Sequence, residues 1–202
     1  MTPLTPTPDA RMTSAFLRLS VATAALLLGS VAASAQQAPR EGGPRVGDVA
    51  PDFTLPAATM RGVSKTPVKL SELRGQTVVI AFYPKARTRG CTVQMQSYRD
   101  QYQTLFNNGA GVTVLAVSTD DVETLESWAR EEKFPMTFLS DREATIGQLY
   151  DVKYPAMNLL RRVLFVVGPD GRIAHVMRPF AELSEDAYVE LREAVAKTRA
   201  AN

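Results

Sequence analysis

Three runs of apolar residues constrain the fold more than any other feature: Thr77–Tyr83 (TVVIAFY), Val112–Val117 (VTVLAV) and Val163–Val167 (VLFVV). Each is of strand length, rich in β-branched residues, and apolar at odd and even positions alike. Strands of that kind are buried on both faces, so helices must cover both sides of their sheet. The intervening segments supply them. After Cys91, the residues Met95, Tyr98, Tyr102, Leu105 and Phe106 recur at helical spacing, and Asn107-Asn108-Gly109 ends that helix with residues that tolerate left-handed backbone. Val122, Leu125, Trp128 and Ala129 share a second helical face, with caps on offer in Ser118–Asp121.

Shorter signals complete the pattern. Asp52–Leu55 is a strand candidate, Leu70–Leu73 a turn of helix, and Met136–Leu139 a further strand. Asp141 can cap a short helix through Tyr150. Pro169-Asp170-Gly171 is a hairpin turn leading to a strand over Arg172–Arg178. Ser184 can cap a last helix carrying Ala187, Leu191, Ala194 and Val195. The whole predicts an α/β chain with one three-layer α/β/α domain over residues 46–202, built on a central mixed sheet.

The segment before that domain reads as an export signal over residues 1–35. Arg11 and Arg18 form a basic start, Leu19–Val31 an apolar stretch, and Ala33-Ser34-Ala35 a small-residue cleavage site. Met12 is an alternative start, since Asp9 is unusual in the n-region of a signal. The apolar run is shorter than the roughly 20 residues that span a bilayer, which favours cleavage over an anchor. Residues 36–45, with Pro39, Gly42, Gly43 and Pro44, read as a flexible leader. The expected location is the periplasm or the exterior. A net charge of +2 over 202 residues gives no electrostatic reason to expect a nucleic-acid partner.

An oxidising compartment favours paired cysteines, yet this chain has 1 Cys. Cys91 lies past the end of the strand Thr77–Tyr83, after the loop Pro84-Lys85-Ala86-Arg87-Thr88-Arg89-Gly90, at the start of a helix. Free backbone N–H groups, the helix dipole and neighbouring arginines favour a thiolate there. Thr88 is placed to hydrogen-bond beside the sulfur. The bland alternative is a small buried hydrophobe, as most free cysteines are; a polar, Arg-rich loop suits that reading poorly.

The run Pro84-x-x-x-Thr88-x-x-Cys91 resembles the active-site motif of the peroxiredoxins, and its surroundings resemble their PrxQ, or bacterioferritin-comigratory-protein-like, group. Gly47-Asp48-x-Ala50-Pro51-Asp52-Phe53, Leu70-Ser71-Glu72-Leu73-Arg74-Gly75, Tyr98-Arg99-Asp100, Ser118-Thr119-Asp120, Leu139-Ser140-Asp141, Arg162-x-x-Phe165 and Gly168-Pro169-Asp170-Gly171 follow in family order. The resemblance implies a thioredoxin-like fold and a peroxidase in which Cys91 attacks a hydroperoxide and becomes a sulfenic acid. It implies that Thr88 hydrogen-bonds peroxide and thiolate, that Pro84 shapes the loop, and that Arg162 stabilises the thiolate and the transition state. It implies no cofactor, a hydroperoxide substrate, an external thiol reductant (a thioredoxin-like protein or glutathione), and a monomer or weak dimer.

Two positions depart from the group. Gln96 stands where many members carry a resolving cysteine, so the pattern is that of a one-cysteine enzyme. Arg89 stands where relatives usually have Pro, either as a further cation near the sulfur or as a solvated loop residue. Arg161 rivals Arg162 for its role, and Arg87, Arg89, Arg161 and Arg162 suggest a basic rim. His175, the 1 His of the chain, reads as an exposed strand residue, and with one Cys no ordinary zinc site can form. Two other readings share the fold: a thioredoxin-like thiol–disulfide oxidoreductase, against which stands the lack of a Cys-x-x-Cys pair, and a binding protein without turnover.

Overall fold

In the computed structural model, which describes residues 42–200, the three apolar runs lie side by side at the centre of one sheet. The expected signal peptide, and the leader as far as residue 41, lie outside the described residues. In chain order the strands are β1 (Thr54–Leu55), β2 (Ala57–Thr59), β3 (Gly62–Val63), β4 (Val68–Lys69) and β5 (Thr77–Phe82). They continue with β6 (Val112–Ser118), β7 (Thr137–Ser140), β8 (Val163–Val167) and β9 (Ile173–Met177). The α-helices are α1 (Arg89–Asp100), α2 (Tyr102–Phe106), α3 (Val122–Glu132), α4 (Thr145–Leu149) and α5 (Glu185–Ala200). Leu70–Leu73 is a 3-10 turn.

Seven strands form one mixed sheet in the order β3-β2-β7-β6-β5-β8-β9, and β1 pairs with β4 apart from it. The strands β5, β6 and β7 run parallel; β8 runs antiparallel to β5, with Phe82 opposite Val163 and Val78 opposite Val167. Every residue of β5 and of β8 is buried, as two-sided burial requires. Alternation along β5 then divides the interior. Val79, Ala81 and Tyr83 face a core built with Tyr98, Trp128, Phe138, Phe180 and Leu191. Val78, Ile80 and Phe82 face a second core with Leu70, Tyr150, Leu160 and Phe165. The first layer holds α1, α2, α3 and α5; the second is thinner, closed by the five residues of α4 and the 3-10 turn.

Most expected elements are present, with informative differences. The helix expected from Cys91 to Phe106 is divided at Gln101 (φ −107°, ψ 18°), although the Gln101 N–H still reaches the Ser97 carbonyl at 3.0 Å. The apolar stripe survives the break, for Met95, Tyr98, Leu105 and Phe106 are all buried. Asn107 and Asn108 take the left-handed backbone expected of them. Asp141 serves α4 from farther away than an N-cap. Ala144 holds the cap position, while the Asp141 carboxylate accepts from the N–H groups of Ile146 (3.2 Å) and Gly147 (2.8 Å). The strands β2, β3 and β4 carry no signal in the sequence, being too short for alternation to register.

Asp121 is the N-cap of α3, accepting the Thr124 N–H at 2.7 Å, and that bond holds its carboxyl below the usual range. Asp121→Ala is therefore expected to lower unfolding free energy by about 1 kcal/mol near neutral pH, measured in urea. A depressed carboxyl stabilises the fold above its unfolded pKa and loses that effect as pH falls through its folded value. The gap between parent and variant should close on acidification; a gap that stays constant would contradict the assignment.

Candidate active site

The strand β5 ends at Phe82, the chain passes through Tyr83 and half-buried Pro84 into an exposed loop, and α1 begins at Arg89. Three contacts pin that loop. The Ala86 N–H donates to Asp120 Oδ2 at 2.8 Å, and the same oxygen accepts the Ser118 hydroxyl at 2.8 Å. Arg87, in left-handed backbone (φ 63°), makes two bonds to the Glu131 carboxylate (2.6 and 2.8 Å) and one to Ser127 (3.1 Å). Thr88 donates its hydroxyl to the Lys85 carbonyl at 2.9 Å, tightening the turn before the helix.

Cys91 is the third residue of α1. The first helical bond runs from the Thr92 N–H to the Thr88 carbonyl (2.8 Å), so the N–H groups of the preceding turn have no acceptor inside the helix. Thr88 gives no side-chain cap, and the first turn contains no acidic residue. A negative sulfur at this position meets the positive end of the helix. The side chain is 1% exposed, so the sulfur sits below the surface and has no second cysteine to pair with.

Arg162, immediately before β8, reaches that sulfur. Its Nη2 lies 3.5 Å from Cys91 Sγ, Nη1 donates to Gln94 Oε1, and Nε lies 3.1 Å from Glu182 Oε2. Gln94 is fully buried and passes the network on, its amide donating to the Tyr98 hydroxyl at 2.9 Å. The Phe180 N–H bonds the Arg162 carbonyl at 3.0 Å, which carries Glu182 alongside. Burial pushes the phenols of Tyr83, Tyr98 and Tyr188 up, so they stay protonated. Among the described residues the buried Tyr83 hydroxyl has Ser118 as its nearby polar group, whose own hydroxyl donates to Asp120.

The expected residues therefore separate. Cys91 and Arg162 are brought into contact, with Pro84 and Thr88 in the loop between β5 and α1. Arg161 takes no part at the sulfur: its guanidinium lies 5.5 Å from the centre of the Tyr154 ring. Consecutive residues of extended chain face opposite ways, which decides between the two arginines. Arg87 is tied to α3, so the basic rim reduces to Arg162 and exposed Arg89. His175 meets Glu190 of α5 at 2.7 Å. Gln96 donates to Glu132 at 3.1 Å, at the far end of α3.

Residues 46–176 match the AhpC/TSA family. The chain belongs to the AhpC/TSA family. Peroxiredoxin Bcp of Escherichia coli K12 is 36% identical over 142 residues, 67% of this chain and 86% of its own length. The structure is similar to that of peroxidoxin BcpB from Mycobacterium tuberculosis, with a TM-score of 0.64 and 31% identity over 79% of this chain and 99% of that one. It is also similar to the bacterioferritin comigratory protein of Xanthomonas campestris, with a TM-score of 0.60 and 25% identity over 71% and 92% of the two chains. The fold is the thioredoxin-like one of these peroxiredoxins, and the chain is a thiol-dependent peroxidase of the Bcp and PrxQ kind.

Sequence reasoning missed Gln94, Glu182 and the anchoring role of Asp120. Gln94 had a signal, since a residue three after Cys91 on a helix shares its face. Glu182 had none, being 20 residues from Arg162 in an irregular segment. Asp120 makes a direct prediction. Asp120→Ala leaves the Ala86 N–H and the Ser118 hydroxyl without their acceptor, at an expected cost of about 1–3 kcal/mol in a denaturant titration. Faster hydrogen exchange at the Ala86 amide should accompany it; an unchanged exchange rate would show that the loop is held by other contacts.

Proposed function

We propose that Cys91 is the peroxidatic nucleophile of a one-cysteine peroxidase. The observation that carries the proposal is the contact between Arg162 Nη2 and Cys91 Sγ at 3.5 Å, at the N-terminus of α1. Two sources of positive charge, the guanidinium and the helix end, lie beside the sulfur that attacks. The thiolate attacks the terminal oxygen of a hydroperoxide. An S–O bond forms and the O–O bond breaks, giving the Cys91 sulfenic acid and an alkoxide or hydroxide that takes up a proton. Arg162 is aimed where negative charge spreads from sulfur to the leaving oxygen. Thr88 orients the peroxide by rotating its hydroxyl from the Lys85 carbonyl, and Pro84 closes the loop against water.

The relative from Xanthomonas campestris has alkyl peroxide reduction activity, and organic hydroperoxides are proposed as substrates here beside hydrogen peroxide. Regeneration needs two equivalents of thiol. The first condenses with the sulfenic acid to a mixed disulfide and water; the second reduces that disulfide. A thioredoxin-like protein or glutathione fits this role, with the enzyme working as a monomer or weak dimer. The basic, apolar and small-residue order of residues 11–35 supports export to the periplasm or beyond.

The reduced protein should consume one equivalent of peroxide rapidly, and its mass should rise by about 16 Da as the sulfenic acid forms. The added mass should vanish with one of the two donor classes. Cys91→Ser should abolish the burst, and a variant that still consumes peroxide at the parent rate would rule Cys91 out. Arg162→Ala should slow the burst by about 100-fold, the scale of losing one preorganised transition-state donor.

A further inference from the structure

Arg162 has a partner that the peroxidase reading does not use. Its Nε meets Glu182 Oε2 at 3.1 Å, and both side chains are largely buried, at 13% and 23% exposure. The other carboxylate oxygen lies against the backbone of α1: a Cβ built on Gly90 would stand 2.6 Å from Glu182 Oε1 and 3.1 Å from Arg162 Nη2. Carboxylate, guanidinium and the first turn of α1 thus pack together where only a glycine leaves room. Glu182 is itself fixed, its carbonyl accepting the Tyr188 hydroxyl at 2.8 Å. It also lies beyond residues 46–176, the stretch that matches the family.

A guanidinium is a planar fork of five N–H donors. Bound at Nη1 alone, it can swing about that contact and carry Nη2 away from the sulfur. Gln94 holds Nη1 from one side and Glu182 holds Nε from the other, and two anchors fix the plane. We infer that Glu182 is a positioning residue that holds Arg162 with Nη2 toward Cys91. The inference rests on the assignment of Cys91 and Arg162 made above. Gln94 is neutral, so Glu182 supplies the one carboxylate bonded to Arg162 among the described residues. A largely buried cation needs such a partner.

A double-mutant cycle tests it, reading the rate constant of peroxide consumption by the full-length reduced protein. Glu182→Ala is expected to slow the reaction about tenfold, equivalent to ~1.4 kcal/mol. In an Arg162→Ala background the same change should alter the rate by less than about twofold, because residues acting through one another are not additive. Glu182→Gln keeps an acceptor for Nε and should stay within about threefold of the parent, a rescue that a merely structural role does not predict. Thermal midpoints monitor folding in parallel. The inference is overturned if Glu182→Ala leaves the parent rate unchanged, if it slows both backgrounds equally, or if Glu182→Gln is as slow as Glu182→Ala. If Arg162→Ala and Cys91→Ser themselves leave the rate unchanged, the underlying site assignment fails instead.

Discussion

The antiparallel pairing of β5 with β8 is the constraint on which the site depends. With Phe82 opposite Val163, the end of one strand lies beside the beginning of the other. The loop leaving β5 leads to Cys91 in the first turn of α1, and the residue entering β8 is Arg162, so the register brings the two within reach of the Arg162 side chain. Had β8 run parallel to β5, Arg162 would stand at the opposite edge, about five residues or ~17 Å away. The backbone ladder from Val78–Val167 to Phe82–Val163 holds this register, and a slip by one residue would turn each side chain toward the other core.

The two arginines bonded near the sulfur-bearing loop both meet carboxylates. Arg162 faces Cys91, Gln94 and Glu182; Arg87 is answered by Glu131, which the guanidinium keeps below the usual carboxylate range. Tyr83, Tyr98 and Tyr188 stay neutral because burial disfavours their ionised forms. The amide at Gln94 is neutral as well. It accepts from Arg162 without adding negative charge beneath a thiolate, and leaves that charge to Glu182 on the other flank.

What could be read from the sequence follows from the range of the forces involved. Two-sided burial leaves a long apolar run, and β5, β6 and β8 were legible for that reason. Cys91 was legible because its place after a strand and at a helix start is local. Arg162 needed the family resemblance to separate it from Arg161, and the structure supplies the reason in the alternation of extended chain. The strands β2, β3 and β4 were illegible because two or three residues set no period. Asp141 was read as an ordinary cap, but the turn at Ala144 intervenes and its carboxylate reaches past it. Glu182 was beyond reach altogether. Its contact depends on where an irregular segment settles after β9, which no local pattern encodes.

The burial of Cys91 and the absence of a resolving cysteine bear on one another. At 1% exposure the sulfur has to be uncovered before a bulky protein thiol could reach it. Where a resolving cysteine sits on the same helix, unwinding can be captured at once by an internal disulfide. Here Gln96 occupies that place and is bonded to Glu132, so opening gains no covalent reward. On the proposed mechanism, the first turn of α1 would have to open for an external thiol to arrive. Its construction suits that demand. Thr88 offers no side-chain cap, Gly90 adds helix-opening freedom, and the contacts holding the turn from outside are the Arg162 and Glu182 pair. On the proposed mechanism, the guanidinium that faces the sulfur during attack on peroxide is also a contact to be released before an external thiol can reach it, so one ion pair bears on both halves of the cycle.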